Sequence, residues 1–144
     1  MFIGIDLGTS SVKTILIDEN QNILATKTEQ ISIQNPKNGY YEQNPEEWYK
    51  ATIKCFDYLK KQKPREFCET RALSISGQMH GATLLDKGSK VLRNCILWND
   101  TRSSKECHEM ELNCSNLREI SGNVAMPGFT APKLLWVKNN EPEL

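Results

Sequence analysis

The sequence has 144 residues, in which 18 Lys and Arg balance 18 Asp and Glu. That length suffices for one domain burying roughly 68–70% of its unfolded surface, and zero net charge leaves no basic excess to draw in nucleic acid or an anionic membrane. No apolar run nears the roughly 20 residues of a membrane-spanning helix, and five cysteines without a C-x-x-C pair argue against zinc or a disulfide framework and for reduced thiols in a cytoplasmic protein.

The chain opens directly on a strand, with neither the basic nor the apolar region of a secretory signal. Residues 2–7 read as a buried strand and residues 12–18 as its partner, joined by a tight turn at Gly8-Thr9-Ser10. Glu19-Asn20-Gln21-Asn22 turns the chain into a third strand over residues 23–31. Three successive strands with short turns make an antiparallel meander, unlike the strand-then-helix start of a Rossmann or P-loop domain.

After the turn-rich loop Asn35-Pro36-Lys37-Asn38-Gly39-Tyr40-Tyr41 a helix is well signalled, with Asn44 as N-cap, Pro45 at its first position and Glu46 and Glu47 in its first turn. Trp48, Thr52, Cys55, Phe56 and Leu59 share one face, which reads as core. Lys60-Lys61-Gln62-Lys63-Pro64 closes the helix. Residues 71–76 form a short strand with Leu73 and Ile75 on one face, and Gly77-Gln78-Met79-His80-Gly81 breaks it. Residues 82–85 and 95–98 read as further short strands. Asn99-Asp100 is placed to cap a helix from Arg102 to about Leu112, with His108 solvated on it. A short helix over 116–120 is stopped by Gly122, and Thr130 caps a last helix with Pro132 in its first turn. No repeat, low-complexity tract or linker interrupts this order, and the final residues carry no stop signal beyond Pro142, as expected of a chain that continues.

The first turn is the place to look for chemistry. Phosphoryl transfer asks a protein for positioning, charge neutralisation and a metal bridging the phosphates. Asp6 ends the first strand and is a suitable partner for hydrated Mg²⁺. Gly8 lets the backbone bend and approach phosphates, and the amides and hydroxyls of Thr9, Ser10 and Ser11 can form an anion-binding nest. The plainer reading is an ordinary hairpin in which Asp6 satisfies turn amides.

Four segments stand in order along the chain: Asp6-Leu7-Gly8-Thr9-Ser10, Ser76-Gly77-Gln78-Met79-His80-Gly81, Ile96-Leu97-Trp98-Asn99-Asp100-Thr101-Arg102, and Met126-Pro127-Gly128-Phe129-Thr130-Ala131-Pro132-Lys133-Leu134-Leu135-Trp136. Through them the whole chain resembles the N-terminal part of the FGGY carbohydrate kinases. The resemblance implies an α/β fold, an actin-like (ribonuclease H-like) ATPase domain whose mixed sheet begins with the antiparallel meander and is flanked by helices. It also implies Mg²⁺-dependent transfer of the γ-phosphoryl of ATP to the terminal hydroxyl of D-xylulose, giving D-xylulose 5-phosphate. Met79 and His80 inherit a place in the sugar pocket, His80 by hydrogen bonding to a hydroxyl and Met79 as an adaptable apolar wall. Gln78 serves the same pocket or pins the loop. Trp98 stacks on the apolar face of the sugar or belongs to the core. Asp100 and Arg102 contact the substrate, or act as a helix cap and a surface or salt-bridge residue.

The family's catalytic base and most of its adenine-binding surface lie beyond residue 144, so residues 1–144 read as an incomplete N-terminal domain without turnover of its own. Nothing recommends Asp6, Asp18 or Asp100 as that base. The partners expected are the sugar, ATP, the missing C-terminal domain and, as a family-level option, a second copy in a homodimer. Two other readings stay open: a kinase for another sugar or polyol (ribulose, gluconate or glycerol), and a non-catalytic actin-like module that binds sugar or nucleotide.

Overall fold

The computed structural model describes all residues from 1 to 144. In chain order its elements are β1 (Phe2–Leu7), β2 (Ser11–Ile17), β3 (Ile23–Gln30), β4 (Glu42–Gln43), α1 (Pro45–Gln62), α2 (Pro64–Cys68), β5 (Ala72–Gly77), β6 (Cys95–Ile96), α3 (Ser104–Asn113), α4 (Leu117–Ser121) and α5 (Thr130–Asn140). They fall into two units, Met1–Ile33 with Pro45–Gln78, and Gln34–Asn44 with Met79–Leu144.

The first unit is a four-stranded mixed sheet in the order β3-β2-β1-β5. The meander β1-β2-β3 is antiparallel, and β5 adds to β1 in parallel. Alternation along the strands turns Ile3, Ile5, Val12 and Leu16 to one face, where α1 packs over β2 and β3. Leu59 and Ala51 of α1 complete this core, with Trp48, Phe56 and Phe67 packed against it. The apolar run of residues 2–7 reads as a buried strand; α1, in the crossover that leads from β3 to β5, covers one face of the sheet, and the alternate residues Phe2 and Asp6 on the other face are exposed. Leu73 and Ile75 do share a face, the one that carries Ile3 and Ile5, yet they remain 55% and 64% exposed. Pro64 ends α1 and also opens α2, since a proline suits the first position of a new helix.

In the second unit β4 and β6 pair antiparallel, and α3 packs with α5. Ala82, Ile96 and Val137 form its small apolar core, with Leu84 and Trp136 against it. The strand expected over 82–85 is reduced to two isolated bridges, Ala82 to Ile96 and Leu85 to Val91. Asp86 accepts hydrogen bonds from the amides of Gly88 and Lys90 and folds that stretch into a turn instead. The strand expected over 95–98 is confined to β6. Neither Asn99 nor Asp100 caps α3, whose N-cap position is Ser103, and α5 has Phe129 at that position with Thr130 as its first helical residue. Gly122 ends α4 in the left-handed region (φ 69°), as its lack of a Cβ permits.

Candidate functional site

In the first unit the register of the hairpin sets Asp6 opposite Lys13 on one side and opposite Ser76 on the other. These three side chains stand on the open face of the sheet and line a cleft of about 320 Å³ together with Gly4, Ile5 and Ile15. Ser76 Oγ donates to Asp6 Oδ1 at 3.0 Å. The turn beyond is closed by its own backbone: the Gly8 amide donates to the Ser11 carbonyl, and the Ile31 amide to the Ser10 carbonyl. Gly8 has an ordinary φ, and its role here is room, because a Cβ would sit 3.2 Å from the Ser11 carbonyl oxygen. Thr9, Ser10 and Ser11 follow in this turn. Lys13 escaped the sequence reading, although the hairpin register that places a cation beside Asp6 follows from the turn length.

Gln78 ends the first unit, its amide bound to the Leu7 carbonyl as β5 leaves the sheet. In the second unit Met79, His80, Trp98 and Asp100 come together around a cleft of about 370 Å³, whose opposite wall is Met126-Pro127-Gly128-Phe129. Met79 is 66% and Trp98 45% exposed, so both present apolar surface to solvent. His80 adopts a left-handed backbone (φ 59°) and rests its ring on Phe129, 4.9 Å between centroids. The loops are closely seated. A Cβ on Gly81 would meet Cys95 Sγ at 2.9 Å, and one on Gly128 the Trp98 carbonyl oxygen at 2.8 Å. Lys133, from the first turn of α5, is fully buried beneath them and donates to the carbonyls of His80 and Gly128, each at 2.8 Å.

Asp100 is buried, and the Arg102 side chain is buried in an ion pair with it, the salt-bridge alternative of its reading and not the surface one. Both oxygens of Asp100 are engaged: Oδ2 accepts from the Tyr41 amide at 2.6 Å, and the carboxylate receives Arg102 Nε and Nη2 side by side. Arg102 also bonds to Glu42, which Arg93 reaches as well, and Arg93 pairs in turn with Glu141. The Arg102 guanidinium lies 4.0 Å from the centroid of Tyr40 and 4.8 Å from that of Trp136. Burial works against its charge, yet the bonds to Asp100 and Glu42 outweigh burial and push its pKa upward. Desolvation lowers the Lys133 pKa to about 8, with Asp100 offsetting part of the effect. The sequence signal for this network, five charged residues scattered from 42 to 141, has no periodicity that would reveal it. His108 is exposed on α3. No group of three or more His, Cys, Asp or Glu side chains is gathered as a metal site, and no helix is long and apolar enough to cross a membrane.

Comparison with known proteins gives these features a setting. The family model described as the FGGY family of carbohydrate kinases, N-terminal domain, matches residues 1–144. The chain is 49% identical over its whole length to the xylulose kinase of Escherichia coli (strain K12), of which it spans 29%. It superposes on the crystal structure of a xyloylose kinase from Brucella ovis with a TM-score of 0.93 and 48% identity, over 98% of this chain and 30% of that one. A gluconate kinase from Lactobacillus acidophilus gives a TM-score of 0.86 at 27% identity, over 99% of this chain and 29% of that one.

Proposed function

This chain belongs to the FGGY family of carbohydrate kinases, with the actin-like ATPase fold, and from that premise we propose that it is the N-terminal part of a xylulose kinase. The whole protein would transfer the γ-phosphoryl of ATP to D-xylulose. The observation that carries this reading is the cleft around His80, an imidazole between the apolar walls of Met79, Trp98 and Phe129. A sugar offers hydroxyls to a directional hydrogen-bonding group and C–H faces to such walls, and directional bonds discriminate among hydroxyl patterns. Asp100, with both oxygens engaged, acts as support for that wall. Trp98 contributes the apolar face and Gln78 anchors the loop that leads into it.

Phosphate chemistry falls to the first unit. Thr9, Ser10 and Ser11 offer hydroxyls, and Lys13 a cation against the phosphate charge. A lone exposed carboxylate suits a hard ion that keeps most of its waters and binds phosphate oxygens, so Asp6 would hold the Mg²⁺ that accompanies ATP. That ion, when bound, neutralises the charge on the phosphates. The chain spans about 29% of the Escherichia coli xylulose kinase, and the family resemblance implies that the general base and most adenine contacts lie outside residues 1–144.

Calorimetric titration of the chain with D-xylulose, D-ribulose and gluconate tests the substrate. D-xylulose is expected to bind tightest, and a preference for gluconate would transfer the assignment to the gluconate branch that the Lactobacillus acidophilus structure represents. A coupled assay with ATP and D-xylulose on the chain alone should give no turnover. Sustained turnover would overturn the placement of the base.

A further inference from the structure

A lysine at 0% exposure is a costly choice for a core position, because an ammonium loses its hydration and a methionine or leucine would fill the space without that loss. Its presence calls for something an aliphatic side chain cannot do. Lys133 Nζ donates to the carbonyls of His80 and Gly128, each at 2.8 Å, and those residues belong to the two loops that face each other across the cleft. We propose that Lys133 is the positioning residue of the sugar cleft, a buried clamp whose single ammonium ties the His80 loop to the Gly128 loop and thereby fixes where the imidazole points. The inference rests on the reading of that cleft as the sugar site.

Three observations support it beyond the two bonds. His80 holds a left-handed φ of 59°, a conformation that a residue with a Cβ keeps only when its surroundings restrain it. The bond from Lys133 is to the carbonyl of that same residue. Gly128, on the other side, approaches the Trp98 backbone so closely that no Cβ fits, so the second loop has one seat. Between the loops the rings of His80 and Phe129 touch, and their contact is a direct reporter of the clamp. Lys133 touches no substrate in this scheme; it acts through His80.

The chain has two histidines, His80 and His108, so their ring resonances can be told apart. In the parent chain the His80 ring protons are expected upfield of those of exposed His108, through the ring current of Phe129. Lys133→Met should bring the His80 resonance to the His108 position and weaken D-xylulose binding about tenfold, with the urea midpoint at pH 7 unchanged. Lys133→Arg, which keeps a charge and donors for both carbonyls, should recover at least half the offset and bring affinity to within about threefold of the parent. A folded Lys133→Met chain that keeps the His80 offset overturns the proposal. Should Lys133→Met fail to fold, the parent decides. One lysine ammonium signal that exchanges slowly at pH 7, with cross-peaks to His80 and Gly128, supports the clamp, and its absence overturns it. If the parent binds no D-xylulose, the substrate reading falls while the histidine test still judges the clamp.

Discussion

The cleft around Asp6 and the cleft around His80 differ in what stands behind their ligand-facing groups. Asp6, Lys13 and Ser76 project from an open sheet face and are backed by an aliphatic core of Ile3, Ile5, Val12 and Leu16. Behind His80 and Trp98 lie a buried ammonium and five interlinked charges, Glu42, Arg93, Asp100, Arg102 and Glu141. The contrast suits the ligands proposed for the two clefts. A polyphosphate is recognised by charge, and exposed hydrated groups can meet it without prior confinement. A sugar is recognised by the directions of its hydroxyls, and directions are held only by groups that cannot move. Buried ion pairs rarely add net stability, but removing one partner is severe. The second unit should therefore be fragile where the first is tolerant.

The strongest way to break this comparison is Asp100→Ala. It strips Arg102 of its bidentate partner and leaves the Tyr41 amide without an acceptor, while Glu42 still offers the guanidinium one contact. A loss of about 3 kcal/mol in urea unfolding of the chain is expected. A loss below about 1 kcal/mol would mean that the charges lend no rigidity to the cleft.

Asp6→Ala should behave in the opposite way. In the whole protein, kcat is expected to fall by about 10²- to 10³-fold, the size of effect seen when one electrostatic stabiliser is lost. The KM for the sugar should stay within about twofold, and urea stability within about 0.5 kcal/mol, as for exposed positions. Destabilisation on the scale of Asp100→Ala would erase the contrast, and an unchanged kcat would remove Asp6 from the phosphate site. His80→Ala should be smaller and of another kind: about a tenfold weaker Kd for D-xylulose, equal to about 1.4 kcal/mol. Unchanged sugar affinity in that variant would separate the cleft from substrate recognition.

The same contrast governs what could be read from the sequence. The meander, α1, α4 and α5 announce themselves through alternation, a proline in the first turn of α1 and α5, and the glycine stop of α4, all of which are local. Met79, His80 and Asp100 all stood in contiguous motifs, and the structure sets them on one cleft. The bonding of Asp100 was not legible, for its partner Tyr41 lies on a distant segment, Glu42 joins only through Arg102, and a carboxylate before a helix looks like a cap whether or not it is one. The strand expected at 82–85 failed for a similar reason, since Asp86 organises a turn through its side chain. Lys133 sits in a quoted motif, yet its spacing says only that a helix has begun. The structure adds that this cation is the one buried under the cleft.

That burial gives the finest test of the comparison, through pH. The folded chain holds the Lys133 proton with a pKa of about 8, against an ordinary value of 10.5, and desolvation is the main cause. Below about pH 8 both folded and unfolded chains carry the proton, and the penalty for burying an ammonium is fully present. Between about 8 and 10.5 the folded chain has released it and the unfolded chain has not, so this group makes stability rise with pH. The buried thiols of Cys55, Cys95 and Cys107 act in the reverse sense: desolvation raises their pKa values, the unfolded chain ionises first, and stability falls. The measurement is therefore a difference. Urea stability of the parent relative to Lys133→Met should increase by on the order of 2 kcal/mol from pH 7 to pH 9.5. A flat difference would mean that Lys133 keeps its proton as readily as a surface lysine, and the second unit would lose the costly buried cation that sets it apart from the first.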